Sequence, residues 1–183
     1  MFENFFNFIG QASNVEINSV DMFLKKVSGK TFFNGMFRFF KFDEKNKWNG
    51  IATEYFSDYL NNIDVVCYDW LGRVFALSKF TNTIVFFEPG TGDVYDTDAN
   101  IEQFFNSVVI EYTNDCFASN FFREWYESAK EYQLKSNECA SYVIPLFMNG
   151  EDSVKNLEVC DMEVHWEMMR IAHGLSNGEV QAD

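Results

Sequence analysis

The stretch CYDWLGRVFALSKFTNTIVFFEPGTGDVYD, residues 67–96, decides the fold class of this chain. Together with the residues just before it, it contains four short runs rich in β-branched and aromatic residues: IDVVCY, RVFALSKF, TIVFFE and DVYD. The links DWLG, TN and PGTG are too short for parallel crossovers, which need about a dozen residues, so they join antiparallel neighbours. The stretch therefore predicts an antiparallel meander of three or four strands.

The first link and the residue after it, Asp69-Trp70-Leu71-Gly72-Arg73, combine an acid, an indole, a glycine and a base. Gly72 can adopt the positive φ of a hairpin loop, and Asp69 can accept hydrogen bonds from the backbone of the turn. Trp70 can bury apolar area, and Asp69 and Arg73 can pair across the turn. We interpret this turn as a structural feature and not as catalytic machinery.

Apolar residues at helical spacing flank the meander on both sides, within residues 17–29, 48–60, 101–109, 120–132 and 160–174. The most regular stripe, with Thr97 or Asp98 available as its N-cap, comprises Ile101, Phe104, Phe105, Val108 and Val109. The run FFNGMFRFFKF, residues 32–42, is compatible with either a strand or a helix. Helices around an antiparallel meander predict a single-domain α+β fold.

The chain is predicted to comprise an N-terminal helical segment (1–29), an α+β domain (30–174) and a flexible tail (175–183). In the first segment, Phe2, Phe5, Phe6 and Ile9 have helical spacing and are expected to dock on the domain. No apolar run approaches the about 20 residues of a membrane helix. Four separated cysteines without a CxxC pair favour a reducing cytoplasm.

The charge is negative and uneven. The net charge is −14, yet residues 1–50 hold seven Lys/Arg and five Asp/Glu, so residues 51–183 have a balance of −16. Such a field repels nucleic acid and would steer a basic partner toward the surface. The alternative explanation is that the charge serves solubility alone.

The sequence contains no motif typical of a catalytic, cofactor or metal site. Asp96-x-Asp98-x-Asn100 matches the first ligand positions of a calcium loop, but Ile101 replaces the required glycine and Ser107 the bidentate glutamate, which favours a helix cap. The His-x-Glu pair at residues 165–167 lacks the Pro-Cys-x-x-Cys of zinc deaminases. With two histidines eight residues apart, satisfied surface or core histidines are the preferred interpretation.

Three segments, read together, resemble one bacterial family. They are FFNGMFRFFKF, then CYDWLGRVFALSKF with FFEPGTGDVYD, and finally CASYVIPLFMNGEDSVKNLEVCDMEVHW. Their order and spacing resemble the carboxy-terminal domain of immunity proteins against type VI secretion DNase effectors, which is grouped with SMI1/KNR4-like immunity proteins. The specific parts are the Asp69–Arg73 turn and the Pro-Leu-Phe-x-x-Gly-x-Asp run with Pro145 and Gly150; Asn149 stands where a glycine is usual.

The resemblance implies an α+β fold and a cytoplasmic protein that works by binding a cognate toxin, without catalysis, cofactor, membrane or direct nucleic-acid contact. A basic nuclease suits the acidic field, and a monomer or weak dimer is expected. The acids predicted to contact the partner are Asp93, Asp96, Asp98, Glu102, Glu111 and Asp115. Two alternatives stay open: a small-molecule or regulatory sensing domain with a pocket on its aromatic-rich sheet, and an enzyme with an unrecognised carboxylate pair.

Overall fold

The structure, a computed structural model, describes residues 1–11 and 16–176. Its strands are β1 (Thr31–Phe32), β2 (Phe37–Phe39), β3 (Ile63–Asp69), β4 (Val74–Ser78), β5 (Ile84–Glu88), β6 (Asp93–Asp96), β7 (Glu138–Tyr142) and β8 (Leu157–Asp161). Its α-helices are α1 (Glu3–Phe8), α2 (Val20–Val27), α3 (Lys45–Tyr55), α4 (Ile101–Gln103), α5 (Val109–Glu111), α6 (Thr113–Phe117), α7 (Ser119–Ser128) and α8 (Met162–Ser176).

The predicted meander is confirmed. Among the described residues, β1 to β6 form one sheet in sequence order, and every neighbouring pair is antiparallel. The pairing register between β3 and β4 shifts between Val65 and Cys67. The remaining strands, β7 and β8, pair with each other in a separate antiparallel ribbon. Sheet and helices form a single α+β domain, as predicted.

The ambiguous run FFNGMFRFFKF forms strands β1 and β2, which extend the meander sheet at its first edge. The tight turn between them has positive φ at Phe33, Asn34 and Gly35, namely 49°, 59° and 97°. Asparagine and glycine tolerate this left-handed region, which explains why the Asn-Gly pair can reverse the chain here.

Both faces of the sheet are covered. One face carries Phe37 and Phe75 and packs against helices α1, α2 and α4 to α7, while the other carries Val74 and Phe87 and packs against α3 and α8. Successive side chains of a strand point to opposite faces of the sheet, and here both faces are covered by helices. This explains why the central strands have few polar positions.

The N-terminal phenylalanines dock on the domain, as predicted. Phe2, Phe5 and Phe6 are at most 2% exposed, and the Phe2 ring stacks on Phe23 of α2 with centroids 3.8 Å apart. Phe5 also contacts Phe105 at 5.1 Å, so this segment shares the core of the sheet. The division at residue 29 stays a prediction. Helix α8 (Met162–Ser176) continues past the expected stop at Gly174, and tail residues 177–183 lie outside the described residues.

The helix predicted from the stripe at 101–109 is present, but its expected cap is wrong. Asn100, not Thr97 or Asp98, is the N-cap: its side chain accepts hydrogen bonds from the backbone N–H groups of Glu102 and Gln103. Gln103 completes a capping box by accepting from the N–H of Asn100. Residues Phe104–Val108 then form a π-helical turn between α4 and α5.

Candidate functional site

The surface from β6 to α6 is acidic and contains no basic residue. Residues 80–122 hold seven Asp/Glu and no Lys, Arg or His. The Glu88 side chain is only 12% exposed, and the other six reach solvent at least in part. These six are the acids predicted to contact a partner: Asp93, Asp96, Asp98, Glu102, Glu111 and Asp115. We call residues 93–115 the acidic segment.

The first three carboxylates of the acidic segment lie on or just after β6, the last strand of the sheet. Asp96 and Asp98 lie together, because the backbone N–H of Asp98 and the hydroxyl of Thr83 both donate to the Asp96 carboxylate at 2.9 Å. Asp93 accepts from the Tyr95 hydroxyl at 3.2 Å, on the opposite face of β6 from Asp96. The structure therefore brings Asp96 and Asp98 together and places Asp93 on the other face of β6.

The remaining three acids lie on the helices that follow β6. Glu102 is half-buried in α4, while Glu111 and Asp115 are exposed at the end of α5 and within α6. Within residues 1–11 and 16–176, none of the six acids takes part in an ion pair. The acidic segment therefore presents uncompensated negative charge, which favours a cationic partner.

The predicted calcium-like spacing does not form a metal site. The Asn100 side chain caps α4. The Asp96 carboxylate accepts from the backbone N–H of Asp98, in the turn between β6 and that cap. In the part of the chain that the structure describes, no group of three or more His, Cys, Asp or Glu side chains could hold a metal ion.

The Asp69–Arg73 turn is a buried ionic junction, which supports its structural interpretation. Asp69 is 0% exposed, and its carboxylate accepts from the backbone N–H groups of Leu71 and Arg73 at 3.0 Å each. The Arg73 guanidinium lies 2.6 Å from the same carboxylate and donates to the carbonyl oxygen of Cys116 at 3.0 Å. Every charged group in the junction thus has a partner, as burial requires.

A second carboxylate, which sequence reasoning missed, completes this junction. Glu88 at the end of β5 lies 3.5 Å from Nε of Arg73, and its side chain is 12% exposed. Burial raises the pKa of Glu88 to about 7, although the positive charge of Arg73 acts in the opposite direction. The pKa of Arg73 is raised above its usual value, because Asp69 and Glu88 outweigh the effect of its burial.

The same turn connects the two sheets and α8. The Trp70 indole N–H donates to the carbonyl oxygen of Phe117 at 2.9 Å, and the backbone N–H of Ala140 in β7 donates to the Trp70 carbonyl at 2.7 Å. From α8, the Trp166 indole N–H donates to the Gly72 carbonyl at 2.8 Å. The turn therefore positions β7, α6 and α8 relative to the meander.

Gly72→Val is expected to lower the free energy of unfolding by about 2 kcal/mol. Gly72 has φ of 79°, and a Cβ there would lie 2.9 Å from Cδ2 of His165 and 3.2 Å from Sγ of Cys139. Urea unfolding followed by tryptophan fluorescence measures the change. Gly50→Val has open space in α3 and serves as the control for introducing a β-branched residue; equal losses in the two variants would contradict the close packing at Gly72.

Pro145 and Gly150 bound a second structural turn. The N–H of Gly150 donates to the Pro145 carbonyl at 3.0 Å, and a Cβ on Gly150 would clash with the carbonyl oxygen of Ile144. Asn149 has φ of 62°, a left-handed conformation that asparagine tolerates in place of glycine. The N–H of Leu146 donates to the Gly90 carbonyl at 3.1 Å, which attaches this turn to the PGTG link.

Ser141 and His165 form a hydrogen-bonded pair that is closed to solvent. The Ser141 hydroxyl and Nδ1 of His165 are 2.8 Å apart, and the residues are 3% and 1% exposed. Nε2 of His165 has no hydrogen-bond partner within the described residues, so the predicted satisfied histidine is satisfied at one nitrogen only. Burial lowers the pKa of His165 to about 4, so the imidazole is neutral at physiological pH.

An apolar groove of about 440 Å³ opens beside the β1–β2 turn. Its lining residues include Phe8, Phe33, Met36, Phe122 and Tyr126, with Arg123 as the charged group. The phenylalanines on the meander strands, by contrast, are core residues: Phe37, Phe75 and Phe87 are 0% exposed. These three side chains are therefore closed to a ligand.

The geometry can be compared with known proteins. Residues 98–170 match the family model described as T6SS immunity protein Tdi1, C-terminal. The match confirms the resemblance predicted from the sequence. It includes Asp98, Glu102, Glu111 and Asp115, and it starts after the Asp69–Arg73 turn. A comparison with curated protein sequences finds no significant match.

The whole chain also has a structural relative. The crystal structure of Atu4351 from Agrobacterium tumefaciens superposes with a TM-score of 0.67 over 94% of this chain and 89% of that chain, at 14% sequence identity. At this identity the similarity concerns the fold, and it extends the architecture well beyond residues 98–170. Within residues 1–11 and 16–176, none of the helices combines the length and hydropathy needed to span a bilayer.

Proposed function

We propose that this chain is an immunity protein that binds and neutralises a cognate type VI secretion toxin in the cytoplasm, and that this toxin is a basic nuclease. The observation that carries the proposal is the match of residues 98–170 to an immunity-protein family. In this proposal the chain acts by occupying the toxin and catalyses nothing itself. It therefore needs no cofactor and makes no direct contact with nucleic acid.

The acidic segment supports a cationic partner. A nuclease binds the phosphate backbone through Lys and Arg, so its substrate groove is positively charged. Residues 93–115 carry six acids, all at least partly exposed, and no base, and a surface of this kind matches such a groove by charge. By lying in or across the groove, the acidic segment would exclude the nucleic acid that the toxin cuts.

Charge reversal in the acidic segment is expected to weaken toxin binding at least tenfold. We choose Glu111→Lys with Asp115→Lys, because both side chains are exposed and neither makes a hydrogen bond or ion pair within the described residues. The probe is the purified product of the reading frame adjacent to the gene of this chain. Surface plasmon resonance at low and high salt gives the association rate, which should fall most at low salt.

The matched control is Asp43→Lys with Asp58→Lys, which makes the same change in net charge at exposed positions flanking α3. The control is expected to change the dissociation constant less than about threefold. Equal weakening by both pairs would show that net charge matters and the acidic segment does not. The toxin is also assayed for cleavage of DNA and RNA with and without an equimolar amount of this chain; a toxin that cuts neither contradicts the nuclease assignment.

A second candidate function is a small-molecule sensing domain, and the groove beside the β1–β2 turn favours it. The groove combines an apolar lining with a single guanidinium, a composition typical of ligand sites. Native mass spectrometry of the purified protein tests this directly. A stoichiometric small ligand, lost in the Phe33→Ser variant, would support sensing over toxin binding.

A further inference from the structure

The groove beside the β1–β2 turn has a volume and a lining suited to a small ligand. Its volume of about 440 Å³ lies within the range of roughly 300–1,000 Å³ that is typical of ligand sites. Phe8 and Phe33 lie together in its lining with ring centroids 5.2 Å apart, and Phe122 and Tyr126 of α7 lie together at 5.6 Å. Two aromatic pairs from distant parts of the sequence therefore meet at one groove.

Of the described residues that line the groove, Arg123 alone is charged, and its guanidinium is unpaired. Within residues 1–11 and 16–176 it makes no hydrogen bond or ion pair, although Glu127 lies one turn further along α7, at a spacing that permits such a pair. The other three arginines all have partners: Arg38 donates to the carbonyl oxygens of Lys135 and Asp69, Arg73 pairs with Asp69, and Arg170 pairs with Glu167.

The groove differs in charge from the chain as a whole. The net charge of the chain is −14, yet the described residues of the lining include one cation and no carboxylate. The first turn of α7 contributes Ser119 to the lining and adds the positive end of the helix macrodipole. A negative head group is therefore favoured inside the groove, whereas the field of the whole chain favours a cation.

Phe33 adopts an unfavourable backbone conformation that leaves its ring accessible at the groove. Its φ is 49°, in the left-handed region, and the residue is 42% exposed. Asparagine or glycine can make such a turn with less strain, so the turn alone does not require phenylalanine. What phenylalanine adds is a large exposed ring, and backbone strain of this kind concentrates at ligand-binding segments.

We propose that this groove binds a small amphipathic carboxylate, with the carboxylate at the Arg123 guanidinium and the apolar body against the two aromatic pairs. A carboxylate matches the planar guanidinium through two parallel hydrogen bonds, and the aromatic lining takes an alkyl chain or a ring. The proposal rests on the second candidate function and deepens it by naming the class of ligand. It is independent of whether the chain binds a toxin.

The test titrates the full chain at neutral pH with three probes that share one alkyl chain: octanoate, 1-octanol and octylammonium. Non-specific attraction to an acidic protein ranks octylammonium first. The proposed site ranks octanoate first, with a dissociation constant at least about tenfold below that of 1-octanol, because only octanoate makes a charge-assisted hydrogen bond. Isothermal titration calorimetry gives the three constants. Equal binding of octanoate and 1-octanol, or tighter binding of octylammonium, would overturn the proposal.

Two arginine variants test the position of the head group. Arg123→Gln is expected to raise the dissociation constant of octanoate about tenfold and to leave that of 1-octanol unchanged. The control Arg170→Gln makes the same change in net charge at an arginine that pairs with Glu167 on α8, and should change octanoate binding less than about twofold. Equal weakening by both variants would assign the effect to net charge and contradict a site at Arg123.

A third variant tests the apolar lining. Phe33→Ser removes the exposed ring, so it should weaken octanoate and 1-octanol alike, and thermal unfolding checks that the variant is folded. If no probe binds and the variant instead weakens binding to the product of the adjacent reading frame, the groove belongs to the toxin interface and the proposal is wrong.

The outcomes also separate the proposal from the sensing function on which it rests. If octanoate does not bind but a ligand of another class copurifies with the chain, the sensing function stands and the carboxylate class is overturned. If no probe binds and no ligand copurifies, both fail.

Discussion

Asp69→Ala is expected to lower the free energy of unfolding by about 3–5 kcal/mol, the typical cost of breaking a buried ion pair from one side. The substitution leaves the Arg73 guanidinium, which is 7% exposed as a residue, without the carboxylate that lies 2.6 Å away. It also removes the acceptor for the backbone N–H groups of Leu71 and Arg73. Urea denaturation monitored by circular dichroism measures the loss.

The conservative variant Asp69→Asn separates the two contributions. Asparagine keeps one oxygen for the turn N–H groups but removes the negative charge beside Arg73. Glu88, 3.5 Å from Arg73, then remains as the nearest carboxylate and can take over part of the neutralisation. We therefore expect Asp69→Asn to lose less stability than Asp69→Ala.

The control is Asp21→Asn, which breaks the exposed pair between Asp21 and Lys25 in α2 at 2.6 Å. Because both side chains are about two-thirds exposed, at 66% and 65%, the loss should stay below about 1 kcal/mol. Comparable losses for Asp69→Ala and Asp21→Asn would refute the view that the turn is an ionic junction on which the fold depends.

The parts of the fold that could be predicted from sequence are those set by local patterns. Links of two and four residues between β-rich runs allow only antiparallel pairing of neighbouring strands, and β3 to β6 pair in this way. The positive φ of Gly72 and the pairing of Asp69 with Arg73 follow from five consecutive residues. Such features need no knowledge of distant segments.

The parts that escaped prediction depend on contacts between distant segments. Glu88 joins Arg73 only because β4 and β5 are neighbours, and the Cys116 carbonyl reaches the same guanidinium across 43 residues of sequence. The predicted N-cap of α4 is wrong because Thr97, Asp98 and Asn100 are all residue types that favour the N-cap position. Only the backbone conformation after β6, with φ of 54° at Asp98, selects Asn100.

Helix α8 shows both sides of this limit. Helical spacing places Met169 on the same face as Met162 and Trp166, and Met169 is 1% exposed. That the opposite face is also apolar yet lies in solvent, with Met168 51% exposed, is shown only by the packing. The six acids show the converse, because their exposure follows from their charge, whereas their division between β6 and the helices that follow it depends on the fold.

The pH dependence of stability is expected to contain two opposing contributions from buried groups. The pKa of His165 is lowered to about 4 from 6.5, so the unfolded state binds a proton first and stability is lost as the pH falls from about 6.5 to 4. The pKa of Glu88 is raised to about 7 from 4.5, so the folded state binds a proton first and the associated stability is lost as the pH rises toward 7. Each contribution amounts to about 3 kcal/mol, and together they nearly cancel between pH 6.5 and 4.5.

Single variants should expose each contribution. Glu88→Gln imitates the protonated carboxyl and can keep the acceptor for the N–H of Gly90, so between pH 7 and 4.5 it should lose about 3 kcal/mol more stability than the wild type does. His165→Asn removes the buried imidazole, so over the same range its stability should rise relative to the wild type. Urea midpoints at half-unit pH intervals give the three profiles. Parallel profiles for wild type and Glu88→Gln would mean that the pKa of Glu88 is the same in the folded and unfolded states, and that the Arg73 charge balances its burial.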